Sequence, residues 1–378
     1  MRWLFFTPIV ILFYSGVCFY IGKRLLDFIR CFNPNTRALI FWLPFAFLCC
    51  ALIAVNFFRH NLHFLRLAGS FWMTILLYLL MLLAVTEIVR LVLFLTGIKI
   101  LNINLYTVGI ALLFCVLINI YGVVHAHSIK TVNYDISLQG TGAGIRIVLV
   151  SDTHIGSFIG KSHLQRIVDK INLTQGDMVF LAGDIFDGNT HTIKDLEGVI
   201  SVLRMIDASL GVFACLGNHD VDRLVFSGGS TEQIEEILKA AGIILLQDEV
   251  YKIRDNLYLA GRRDPHPIGM NADRKTAEEL LKGLYGTIIV LEHQPTQFAE
   301  VEKAGADLLL CGHTHKGQLF PSTLITREVF RRAGSTYYGY WQGQTMQAVV
   351  TSGAAFWGPP LRVGTNSEIA VINVNFTP

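Results

Sequence analysis

Charge is what this sequence lacks. Only 16% of its 378 residues are Asp, Glu, Lys or Arg, against about 25% in ordinary soluble domains. That deficit excludes a globular enzyme that is soluble throughout, a disordered chain and a coiled coil. Acidic residues are almost missing from the first third, where residues 1–124 hold nine Lys/Arg and two Asp/Glu. The remainder holds 22 basic and 27 acidic residues, so the net charge of +2 averages two unlike objects. A mildly acidic back half gives no support for nucleic-acid binding. Its only cysteines are Cys215 and Cys311, each ending a short apolar run, which read as small buried residues rather than a disulfide. No CxxC, no Cys/His zinc spacing, no internal repeat and no low-complexity tract occurs.

What the front does contain is four apolar stretches, at about 3–21, 38–57, 71–97 and 105–124. Each is long enough to cross about 30 Å of hydrocarbon as a helix. Short connections carry most of the charge: Lys23, Arg24, Arg30 and Arg37, then Arg59 and Arg66, then Lys99. The first stretch has no small-x-small cleavage site after it, which argues against a removed signal peptide. Glu87 and Arg90 lie three apart near the end of the third stretch, where they are expected to pair or snorkel rather than form an intramembrane site. The sequence thus predicts a multi-pass protein of the cell (inner) membrane, with the lipid bilayer as a partner. Lys and Arg divide four against five between the two sides, a slight lean toward a C-terminal domain outside the cytoplasm.

Beyond His125 short apolar runs alternate with helical segments. Residues 145–150, 178–181, 212–216, 288–291 and 308–311 read as strands, and 162–173, 193–208, 231–241 and 274–284 as helices. Runs at 348–351 and 370–374 read as closing strands, and the whole as an α/β domain. Five of these strands stop in Asp, His or Asn, usually beside Gly. In open α/β sheets, sites form at the carboxyl ends of strands. Asp152, His154, Asp184, Asn218, His293, His313 and His315 are thereby delivered to one edge. Carboxylate, carboxamide and imidazole together suit manganese, iron, cobalt or zinc rather than calcium. Seven ligands exceed one tetrahedral ion and fit two divalent ions that share a carboxylate, an arrangement that makes hydroxide available and clamps a phosphoryl group.

The ordered motifs are Asp152-Thr153-His154, Gly183-Asp184-Ile185-Phe186-Asp187, Gly217-Asn218-His219-Asp220, His293 and Gly312-His313-Thr314-His315. Together they resemble the calcineurin-like metallophosphoesterase superfamily over residues 143–376. The tail, with Thr351-Ser352-Gly353, Phe356-Trp357-Gly358-Pro359-Pro360 and Arg362, is similar to its membrane-associated bacterial branch. The resemblance implies a four-layer α/β/β/α metallophosphoesterase sandwich preceded by four transmembrane helices. The corresponding domains are a membrane domain at 1–124, a linker at 125–142 and the phosphoesterase domain at 143–378.

It implies that Asp152, His154, Asp184 and His315 hold one metal, and that Asp184, Asn218, His293 and His313 hold the second. His219 would contact the phosphate or protonate the leaving oxygen, oriented by Asp220. The implied reaction is hydrolysis of a phosphomonoester, phosphodiester or pyrophosphate by a metal-bridging hydroxide. Purple acid phosphatases, similar in layout, place a Tyr ligand where this chain has Asp187, which argues against a tyrosinate–ferric centre. Asn218 and His219 are also candidate substrate contacts. Arg262, with Arg263 and His266, could grip a second phosphate or be a charged loop. Lys316 could reach phosphate or be solvated. His163 and His191 read as surface or capping residues. Tyr337, Tyr338, Tyr340 and Trp341 suit a lipid-facing or substrate-lining belt, or a packed strand pair. Tethering near a bilayer suggests a lipid or lipid-linked substrate. The alternative reading is a non-catalytic membrane scaffold or receptor built on this fold. Oligomeric state is not legible.

Overall fold

A computed structural model describes residues 2–57, 63–156, 158–188, 190, 193–221, 231–265 and 274–378, with side chains 2–7, 51–57 and 63–65 set aside. His191 and His266 lie outside the described residues. The chain divides into two compact units, residues 1–123 with 358–360 and residues 124–357 with 361–378.

The first unit is built from helices α1 (Arg2–Phe32), α2 (Ala38–Phe57), α3 (His63–Leu95) and most of α4 (Ile103–His127). Pro8–Phe32, Arg66–Leu95 and Ile103–His127 are long and apolar enough to cross a membrane, and α2 contributes a shorter apolar segment, Ala38–Cys50. Helix α1 runs past its apolar stretch because Ile21 and Leu26 remain buried. On its polar side Lys23 pairs with Asp27 at 3.4 Å, one turn on. Glu87 meets Arg24 at 2.5 Å and Arg90 at 3.7 Å, so the charges inside the third apolar stretch are paired.

The second unit carries β1 (Ile129–Gln139), β2 (Ile145–Val150), α5 (Lys161–Asn172), β3 (Met178–Ala182), α6 (Leu196–Leu203), β4 (Val212–Cys215) and α7 (Glu232–Ala240). There follow β5 (Ile244–Leu245), β6 (Glu249–Arg254), β7 (Leu257–Gly261), α8 (Ala277–Leu281), β8 (Thr287–Leu291), α9 (Phe298–Lys303) and β9 (Leu308–Cys311). Helix α10 (Ser322–Arg332) and strands β10 (Gly339–Gln342), β11 (Gln347–Val350) and β12 (Ser367–Thr377) close the domain.

Among the described residues two six-stranded sheets form, in the orders β1-β12-β2-β3-β4-β5 and β10-β11-β9-β8-β7-β6. In both, the central strands are parallel. Alternation along the strands supplies both faces of each sheet. Ile147, Leu149, Phe180 and Phe213 of the first sheet pack in one core with Leu259, Ile289, Leu291 and Leu310 of the second. Val148, Val150 and Val179 face the other way, against Leu164, Ile167, Val168 and Ile171 of α5. Those four recur at helical spacing, which fixes the face α5 buries. Beyond the second sheet, Val290 and Leu309 pack with Leu280, Phe298 and Val301 of α8 and α9. The result is an α/β/β/α sandwich.

Three expectations need correction. Residues 129–139 are not linker: β1 pairs in parallel with β12 along its whole length. Ile136 and Leu138 are buried between exposed neighbours Asp135, Ser137 and Gln139, the period-two pattern of an edge strand. Helix α6 is shorter than 193–208, because the Asp195 side chain accepts the Gly198 N–H at 2.9 Å and caps it there. Helix α8 likewise starts late, at the capping box formed by Thr276 and Glu279. Tyr340 and Trp341 lie in β10, paired antiparallel with β11, and Trp341 packs edge-on against Phe298 with ring centroids 4.9 Å apart.

Candidate metal centre

The candidate ligands leave the sheets where parallel strands end: Asp152 and His154 after β2, Asp184 after β3, Asn218 after β4, His293 after β8, and His313 and His315 after β9. Five of them adopt the left-handed backbone region that side chains avoid, with φ of 54° at Asp152, 43° at His154, 50° at Asp184, 73° at His313 and 47° at His315. Each such residue costs roughly 1–3 kcal/mol and persists only when its surroundings hold it. Here the loops hold one another. The His154 N–H donates to the Asp184 carbonyl at 3.0 Å, and the Asp152 N–H to the Gly183 carbonyl at 3.0 Å. The His313 N–H donates to Asp152 Oδ2 at 3.0 Å, and the His219 N–H to Asp184 Oδ1 at 2.7 Å. Gly312 is required by close approach, since a Cβ there would overlap the Ser151 side chain and lie 2.7 Å from Asp152 Oδ2.

Three groups of donors come together among the described residues: Asp152, His154 and His315 form the first, Asp184, His293 and His313 the second, and His154, Asp187 and His219 a third. In the first, His315 Nε2 lies 3.4 Å from Asp152 Oδ1 and 3.1 Å from His154 Nε2. In the second, His293 Nε2 lies 3.2 Å from both Asp184 Oδ2 and His313 Nδ1. Asp184 Oδ2 also stands 3.8 Å from His154 Nε2, so one carboxylate oxygen faces both the first and the second group.

The donor chemistry fits divalent cations. Asp152 Oδ2 accepts from Ser151 Oγ and the His313 N–H, while its Oδ1 is buried without a hydrogen-bond partner, as is Asn218 Oδ1. His293 Nδ1 faces the Ala182 carbonyl at 2.8 Å. A carbonyl only accepts, so Nδ1 carries a proton, and Nε2 would offer its lone pair to a bound cation. Burial, together with the charge of Asp184, pushes the Asp152 carboxyl above its ordinary range. Burial acts the same way on Asp184 but is outweighed by His293, then His154 and His219, which hold it well below. Buried acceptors without partners beside buried imidazoles are the environment a cation relieves.

His219 also lies here, its imidazole edge-on to His154 at 5.0 Å. Its Nδ1 stands 3.6 Å from Asp187 Oδ1. Asp220 was expected in that place, and the structure assigns it other work. It is fully buried and accepts the backbone N–H groups of Gly217 at 2.9 Å, Phe186 at 2.8 Å and Ile185 at 3.2 Å. Burial and the neighbouring Asp184 charge raise its carboxyl to about 7 against those three bonds. Asp220 therefore ties the loop after β4 to the loop after β3. The G-D-x-x-D spacing was the signal that could have pointed to Asp187.

Arg262 does not face this centre as a free cation. It is buried, 2.7 Å from Glu292 and 2.9 Å from Glu300. The expected phosphate contact is corrected on that ground, because two carboxylates already occupy the guanidinium. Lys316 sits 3.9 Å over the Tyr338 ring, a cation–π contact within the protein. His163 is buried rather than superficial, with Nδ1 2.8 Å from Arg166 and its ring against His127 and Phe356.

Residues 145–317 match the family model of the calcineurin-like phosphoesterases. An uncharacterized metallophosphoesterase of Campylobacter jejuni is 28% identical over 99% of both chains. A transmembrane protein with metallophosphoesterase domain from Danio rerio is 30% identical over 70% of this chain and 61% of its own length. An uncharacterized metallophosphoesterase of Helicobacter pylori is 30% identical over 61% of this chain and 60% of its own. The chain thus spans the whole of the first relative and about three-fifths of the other two.

Proposed function

Because this chain belongs to the calcineurin-like metallophosphoesterase superfamily, we propose that it is a membrane-anchored, two-metal phosphoesterase of the inner membrane. Residues 129–378 carry the reaction and four spans within 1–124 anchor it. The observation that supports this most is Asp184 Oδ2, which faces His293 Nε2 at 3.2 Å and His154 Nε2 at 3.8 Å. Asp152, His154 and His315 would hold one ion, Asn218, His293 and His313 the other, and Asp184 both. Divalent ions of the manganese, iron, zinc or cobalt kind supply, when bound, charge neutralisation at phosphoryl oxygens and a water acidified to near neutrality.

The chain's own residues complete the chemistry. His219, beside the ligands rather than among them, donates a proton to the leaving oxygen as the phosphorus–oxygen bond breaks. Asp187 holds that imidazole ready, and Asn218 and His219 contact the phosphoryl group. The scissile bond belongs to a phosphomonoester, phosphodiester or pyrophosphate. Anchoring concentrates the site at a surface, which favours a lipid-linked substrate.

The test is the purified full-length chain, reconstituted with metal and assayed on aryl phosphate mono- and diesters and on a nucleotide-lipid pyrophosphate. Turnover is expected, reduced roughly 100-fold or more by His219→Ala. A metal-loaded chain inert toward every phosphoester would overturn the reading in favour of a non-catalytic scaffold.

A further inference from the structure

Trp357 is 49% exposed, although it sits beside the candidate site. Its ring centroid lies 5.4 Å from that of His219, the planes inclined by 57°. The main chain that presents it is fixed from two directions. The Trp357 N–H donates to Gln318 Oε1 at 3.0 Å, and Gln318 Nε2 donates to the Trp357 carbonyl at 2.9 Å. Gln318 is itself buried, three residues beyond His315. Upstream, the Ala354 and Ala355 N–H groups donate to the carbonyls of Ser151 and Asp152 at 2.8 and 3.2 Å. Fully buried Arg362 donates to the Ala355 carbonyl at 2.9 Å and to the His315 carbonyl at 3.3 Å. The same two ligand loops that shape the centre therefore hold an indole at its side. An anchored, half-exposed indole is apolar surface left uncovered, which favours an apolar or aromatic group settling on it.

We propose that Trp357 is the specificity-determining residue, stacking on an aromatic ring in the leaving group of the phosphoester. This rests on the reading of His219 as donor to the leaving oxygen. A ring attached to that oxygen then arrives at the neighbouring indole, within the 4.5–7 Å centroid spacing that aromatic pairs adopt. Stacking that covers half an indole is worth roughly tenfold in binding. An indole that merely shielded His219 would act on every ester alike. A stacking indole acts on selectivity.

The experiment therefore reads a ratio. In the metal-loaded full-length chain, the preference in kcat/KM for an aryl over an alkyl phosphodiester should fall about tenfold in Trp357→Ala and recover in Trp357→Phe. A second readout needs no turnover. Phenylphosphonate should quench the tryptophan fluorescence of the wild-type chain, and the quench should vanish in Trp357→Phe while the other four tryptophans remain. An unchanged ratio, or a quench that is absent or persists in Trp357→Phe, overturns the proposal. Failure to hydrolyse any ester overturns the phosphoesterase reading instead, and leaves the quench to decide on the indole.

Discussion

His219 Nδ1 stands 3.6 Å from Asp187 Oδ1, whereas Asp220, next to His219 in sequence, turns to the backbone. Asp187 is thus the carboxylate placed to orient the imidazole. In Asp187→Asn, kcat should fall about 10- to 100-fold. The loss should be larger for esters with poor leaving groups, which depend most on proton donation. Steady-state kinetics over a leaving-group series checks this, and an equal loss across the series would speak against it.

Asp220 has a different consequence. Its removal strands the N–H groups of Gly217, Ile185 and Phe186 in a buried place. At roughly 1–3 kcal/mol for each unsatisfied buried group, Asp220→Ala should destabilise the chain by at least about 3 kcal/mol. Denaturant unfolding of the metal-free protein measures this, and a loss below about 1 kcal/mol would contradict the tie.

Burial, then Arg166 and His127, lowers the His163 imidazole to about 4 from 6.5. A base depressed on folding gives stability that is complete above 6.5 and is lost as pH falls from 6.5 toward 4, because the unfolded chain takes the proton first. The loss amounts to at most about 3 kcal/mol. Thermal unfolding followed across that window should show the decline, and His163→Gln should flatten it.

Gly312 admits no side chain. In Gly312→Ala the new Cβ meets Ser151 and Asp152, so the ligand loop must move. Binding of one metal equivalent should weaken at least tenfold, an effect of the size seen when ligand supports are altered. Titration with manganese or zinc, read by calorimetry, tests it.

The two sheets were largely legible because apolar runs such as Val179–Leu181 and Leu308–Cys311 end abruptly in polar residues, and both faces of their strands are buried. Strand β1 was not, because an edge strand buries few side chains and its alternation is carried by Ile136 and Leu138 among polar neighbours. The placement of the candidate ligands at strand ends follows directly from those breaks. The partner of His219 does not follow from adjacency: the turn after Gly217 sends His219 and Asp220 in different directions, and only the fold brings Asp187 near. Arg262 shows the same limit, since the carboxylates that engage it come from residues 292 and 300.

Asp184, whose Oδ2 faces both His293 and His154, would serve two cation sites, and metal stoichiometry tests that role. Elemental analysis of the purified, reconstituted full-length chain should give two equivalents of divalent metal, falling to one or fewer in Asp184→Asn. Two equivalents retained in Asp184→Asn, or none bound by the wild-type chain, would contradict it.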